Sequence, residues 1–125
     1  MFPERVKRVE QEMAKELAVI LDREIKDPRV GMVTVSRVHV TKDLRVADVY
    51  VSRLGDDAKA DAECIQALEH AAGFVRRLVG ERMALKFLPD LKFHLDTSIR
   101  HAMALEEIFK KIHESEPPSK ADEEE

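Results

Sequence analysis

The residues best placed to do chemistry are Arg76, Arg77, Arg82 and Lys86. Arg76 and Arg77 stand between the apolar pairs Phe74-Val75 and Leu78-Val79, so helical spacing turns them outward. Guanidinium forks match the oxygens of a phosphate group in geometry and charge. Just before them runs Ala71-Ala72-Gly73, where the missing side chain leaves room for another backbone to approach. Lys42 and Arg45 form a second basic pair at an expected hairpin tip, a natural probe for a groove. Arg5, Lys7 and Arg8 open the first helix, where positive charge opposes the helix dipole. Each feature also has a plain structural explanation. Surface arginines are solvated charges, a glycine eases a sharp junction, and a chain terminus tolerates any charge.

Other chemistries lack their residues. The five histidines show no ligand spacing, and one cysteine cannot complete a zinc knuckle. Cys64 falls on an apolar helical stripe and reads as core, while Asp56-Asp57 reads as a turn and helix cap. There is no phosphate-binding loop and no nucleophile elbow. The expectation is a protein without catalytic residues, metal or cofactor. Tyr50 is the only tyrosine and aromatics make up 5% of the chain, which favours phosphate and shape contacts over base reading.

The formal net charge of -4 hides an uneven distribution. Residues 114–125 carry six acids and one base, leaving the body close to neutral. That tail has two prolines and no large apolar residue, so it is expected to be disordered. Residues 1–113 form one domain, with 44% hydrophobic residues in the whole chain to supply its core. The single cysteine excludes an internal disulfide. No apolar run approaches a membrane span, so a soluble, cytoplasmic protein is expected.

The elements that position these residues follow from periodicity. Val6, Val9, Met13, Leu17, Ile20, Leu21 and Ile25 make one stripe of a helix from about Arg5 to Lys26, ended by Pro28. Met32–Thr41 and Leu44–Ser52 read as a hairpin, with a bulge near Ser36-Arg37 to bring Val33 and Val35 into phase with Val38 and Val40. Two helices meeting at a bend at Gly73 come next, then a strand over Leu91–Asp96. A last helix runs to about His113 with Ile99, Met103, Leu105, Ile108, Phe109 and Ile112 as its apolar positions. A helical crossover makes the last two strands parallel. The fold class is α+β, in the order α-β-β-α-kink-α-β-α, with a three-stranded mixed sheet and helices on one face.

This order resembles the bacterial-type (type II) KH-like domain, but the usual Gly-x-x-Gly loop is absent. In its place Ala71-Ala72-Gly73 runs straight into Phe74-Val75-Arg76-Arg77. That substitution, with Arg23-Glu24-Ile25-Lys26-Asp27-Pro28-Arg29-Val30-Gly31-Met32, Ala47-Asp48-Val49-Tyr50-Val51-Ser52 and Leu88-Pro89-Asp90-Leu91-Lys92-Phe93, resembles the ribosome-binding factor A family from about Arg5 to Ile112. The resemblance implies a late assembly factor. Such a protein binds the precursor small ribosomal subunit and its rRNA, assists maturation and 5′-end processing of that rRNA, and matters most in the cold. It implies RNA binding by Lys42, Arg45, Ala71, Ala72, Gly73, Arg76, Arg77, Arg82 and Lys86. A monomer is expected. The competing reading is a protein–protein adaptor that uses the same scaffold without touching RNA.

Overall fold

The computed structural model describes residues 3–115, and the acidic segment 116–125 lies outside them. The expected tail started at residue 114, but Glu114 belongs to the last helix.

Helix α1 (Pro3–Arg23) forms because its apolar residues recur every three or four positions. Met13, Leu17, Ile20 and Leu21 are buried, each worth about 1.5–3 kcal/mol of apolar transfer. It stops three residues before the expected end. The Asp27 carboxylate then caps a turn, accepting from the Arg29 backbone N–H at 2.9 Å and from its guanidinium at 2.8 Å. Those bonds hold the Asp27 carboxyl down at about 2. Gly31 takes a positive φ of 60° and turns the chain into the sheet.

The sheet has the order β1 (Val33–Val40), β2 (Val46–Arg53), β3 (Asp90–Leu95). β1 and β2 are antiparallel, and β2 and β3 are parallel. The expected bulge is present: the register shifts between Val35 and Arg37. Ser36 is the extra residue, and its hydroxyl donates to the Tyr50 carbonyl and the Asp96 carboxylate. After the shift, Val38, Val40, Ala47, Val49, Val51, Leu91 and Phe93 all bury on one face, under α1 and α2. The other face is wet. There Tyr50 stacks on His94 with centroids 5.0 Å apart, Arg37 lies 4.0 Å above the Tyr50 ring, and His94 bonds Asp48 at 2.8 Å.

Helix α2 (Ala58–Met83) corrects the expectation of two helices meeting at Gly73. It is one unbroken helix of 26 residues. A glycine inside a helix costs about 1 kcal/mol against alanine, too little to break one that buries Cys64, Ala67, Leu68, Val75 and Val79. Asp57 caps its start by accepting from the Lys59 and Ala60 N–H groups. Ala84 ends it in the left-handed region at φ 51°.

Helix α3 (Ser98–Ser115) is rooted by one half-buried charge cluster. Asp61 of α2 accepts from Arg53 at 3.0 Å and from Arg100 at 2.7 Å, and Arg100 also donates to the Arg53 carbonyl. Hydrogen bonding to Arg100, then to Arg53, lowers the Asp61 carboxyl to about 2 against burial. Beyond this root α3 leaves the body. The sequence places all helices on one sheet face, but every residue from His101 to Glu114 is exposed.

Candidate nucleic-acid interface

The parallel strand β3 brings the basic residues to one end of the domain. Its first N–H, from Asp90, donates to the Arg45 carbonyl at 2.8 Å, which fixes the hairpin tip beside the start of β3. The tip itself is a tight loop. Thr41 N–H donates to Val46, Leu44 adopts φ 60°, and the Asp43 carboxylate accepts from the Thr41 hydroxyl and the Arg45 N–H. Lys42 and Arg45 are exposed on it, with the Arg45 side chain 85% open and only 3.9 Å contact to Asp43. Glu10 of α1 accepts from the Val40 N–H at 2.7 Å, so the basic start of α1 lies toward this same end.

Four of the expected site residues on and after α2 have unlike surroundings. Arg76 is half-buried and turned inward. Its guanidinium donates to the Leu88 carbonyl at 2.7 Å and the Pro89 carbonyl at 3.1 Å, and sits 3.6 Å from Asp90. It ties the loop before β3 down onto α2, and its donors serve the fold. Arg82 reaches across to Glu16 of α1 at 3.3 Å. Arg77 and Lys86 point into solvent. Ala71 and Ala72 are half-buried and support α2 against the core. Gly73 is exposed, and a Cβ there would meet nothing within 4 Å. The expected opening at Gly73 is therefore a bare patch of helix surface rather than a gap between two helices.

Two aromatics join this surface that the basic-residue reading left out. Phe74 is 40% exposed, with the Arg77 guanidinium 5.4 Å from its ring centroid. Phe87 is 74% exposed, with the Lys86 ammonium 5.7 Å away. The signal for Phe74 was present: the buried residues Cys64, Leu68, Val75 and Val79 define a stripe that Phe74 misses by one position. Phe87 carries no such signal, because a loop has no periodicity. Together Gly73, Phe74 and Arg77 share one helix face. It offers a flat apolar ring, a cation above it, and an uncovered stretch of backbone. Such a face suits a sugar-phosphate chain with an unpaired base.

Among the described residues no group of acids, histidines or cysteine could hold a metal ion, and no helix is long and apolar enough to cross a membrane. Cys64 is buried, donates weakly to the Val30 carbonyl at 3.5 Å, and has its thiol pushed up by desolvation.

The fold defines a class: a small α+β domain with a three-stranded mixed sheet covered on one face by α1 and α2. Residues 5–109 match the family model of ribosome-binding factor A. The ribosome-binding factor A of Hahella chejuensis is 45% identical over 112 residues, spanning 86% of this chain and 83% of that one. A solution structure of a Thermotoga maritima protein, named as a putative ribosome binding factor A, is 37% identical. It superposes with a TM-score of 0.65 over 75% of this chain and 90% of its own. A homology model of the Thermus thermophilus factor, fitted into the cryo-EM map of its complex with 30S, is 27% identical. Its TM-score is 0.61, over 72% of this chain and 93% of that one. The chain belongs to the ribosome-binding factor A family.

Proposed function

We propose that this chain binds the small ribosomal subunit in its precursor form and contacts its rRNA through the Gly73–Phe74–Arg77 face, with Lys42, Arg45 and Lys86 beside it. In this reading it assists late maturation and 5′-end processing of that rRNA in the cytoplasm, without a catalytic group of its own. The observation that carries the reading is family membership across residues 5–109, with a family member of the same fold fitted into a 30S map. The exposed Arg77–Phe74 pair supports direct RNA contact, since a cation on an aromatic ring presents both charge and a stacking plane.

Co-sedimentation with precursor small subunits tests the proposal. Binding falls steeply with salt, because displaced counterions set the slope. Arg77→Glu weakens it at least about tenfold, as two phosphate contacts' worth of charge is reversed. Binding that ignores both salt and Arg77→Glu would instead fit the protein adaptor.

A further inference from the structure

The end of the sheet away from the hairpin tip carries a different surface. The start of β1, the turn after β2 and the root of α3 border an open groove of about 580 Å³. Met32 and Leu54 line it on the sheet side, 81% and 78% exposed. Ile99 and Met103 line it from α3, 58% and 62% exposed. At 100° per residue Ile99, Met103, Glu107 and Arg100 fall within one arc of about 100°, the side of α3 that looks into the groove. A smaller hollow of about 220 Å³ shares Met32 and Leu54 and adds Arg29 and Glu63. Four exposed apolar side chains around one opening mark an interaction surface, and methionine adapts to varied apolar partners.

The charges at the rim select the partner. The arginines there are already paired: Arg53 and Arg100 share Asp61, and Arg29 holds Asp27. Asp56, Glu63 and Glu107 form no ion pair among the described residues. Asp56 and Glu63 act only at longer range, on Arg100 and Arg29. Asp96 adds a further carboxylate, bonded to the Ser36 and Ser98 hydroxyls and so still charged. Lys111 lies one turn past Glu107 and outside the lining. Negative charge therefore outweighs positive around the apolar opening. Such a rim repels a phosphate backbone, and equally the acidic segment 116–125 of this chain. It attracts a segment that is apolar on one side and cationic on the other. Proteins that coat a polyanion are rich in cationic segments.

We propose that this groove takes a basic amphipathic helix from a protein of the small subunit. Its apolar side sits among Met32, Leu54, Ile99 and Met103, and its cations meet Asp56, Glu63 and Glu107. The source of the helix rests on the function proposed above, while the groove's preference for a cationic partner does not. The domain then grips RNA at one end and protein at the other.

Two experiments separate these claims. The first uses the full chain and a fluorescent synthetic peptide of about 14 leucines and lysines, with the leucines on one helical face. A counterpart with glutamate for lysine binds at least about tenfold more weakly. Leu54→Ser with Met103→Ser, and separately Asp56→Lys with Glu107→Lys, each weaken the lysine peptide by about tenfold. All four positions are exposed, so the fold is retained. Arg77→Glu, at the other surface, leaves peptide binding unchanged. Equal affinity for the two peptides, or binding that ignores the groove variants, overturns the proposal. The second places a photoreactive diazirine side chain at Leu54 or at Lys42 and irradiates the chain bound to precursor small subunits. Leu54 cross-links to a lysine- or arginine-rich stretch of a small-subunit protein, and Lys42 to rRNA. A Leu54 cross-link to rRNA or to a second copy of this chain, or none while the chain co-sediments, overturns the proposed source. Failure to co-sediment at all overturns the proposed function and that source together, and the peptide comparison still decides the groove.

Discussion

Helices α2 and α3 begin alike and end differently. Each follows an aspartate whose carboxylate accepts from backbone N–H groups of the first turn: Asp57 for α2 and Asp96, bonded to the Ser98 N–H, for α3. Each carries a regular apolar stripe. Yet α2 buries its stripe against the sheet and α1, while α3 exposes all of its residues from His101 to Glu114. The difference teaches that periodicity reports a helix and its apolar side, and says nothing about which surface will cover it. A crossover helix has no choice, because both of its ends are fixed to neighbouring strands. Helix α3 is held at its start, through Asp61, Arg53 and Arg100.

The largest effect that sharpens this contrast is in the core. Leu68→Ala removes a fully buried side chain of α2 and costs about 2–5 kcal/mol in denaturant unfolding. Phe109→Ala on α3, measured at low protein concentration, changes stability by less than about 0.5 kcal/mol. Equal costs would mean that α3 packs on the body after all. Next is Arg76→Ala, which frees the Leu88 and Pro89 carbonyls and costs about 1–2 kcal/mol, with faster amide exchange around residues 84–90. A loss of ribosome binding with no loss of stability would reverse the structural role given to Arg76.

Smaller effects separate the two glycines of α2. Gly73→Ala gains up to about 1 kcal/mol of helix propensity, since the new Cβ meets open space. Gly80→Ala gains none of it, because its Cβ would run into a Leu88 methyl and push that side chain aside. Thermal unfolding of the two variants reads the difference. The smallest effect is local and lies at the root of α3. The Asp61 carboxyl is depressed to about 2 from an ordinary value near 3.8, so its bonds to Arg100 and Arg53 contribute fully above about pH 4. They weaken as pH falls through 2. Amide signals at the start of α3 follow that titration, and Asp61→Asn abolishes it.

Much of the fold was legible because burial on one sheet face leaves a two-residue signature. Val33 and Val35 against Val38 and Val40 announced the bulge, and the length of the crossover announced the parallel strand. The helix junction at Gly73 was misread because a glycine marks permission to bend, and the packing of Val75 and Val79 on the core decides whether the bend occurs. At the candidate site, sequence gathered the right segments but not the directions of their side chains. Arg76 and Arg77 are neighbours in the chain, and only the loop carbonyls of Leu88 and Pro89, twelve and thirteen positions on, separate their roles. No local pattern encodes such a partner. Phe87 and the hairpin tip's contact with Asp90 are tertiary in the same sense.

The parallel pairing of β2 with β3 also orders events in time. Helix α1 and the β1–β2 hairpin contact one another within the first 53 residues, so that part can begin to assemble while the rest is still being made. β3 cannot join until the whole 54–89 crossover has emerged and its ends have met, a closure whose entropy must be met before any strand bond forms. Until then one edge of β2 stands bare, and the nascent chain carries an open strand looking for a neighbour.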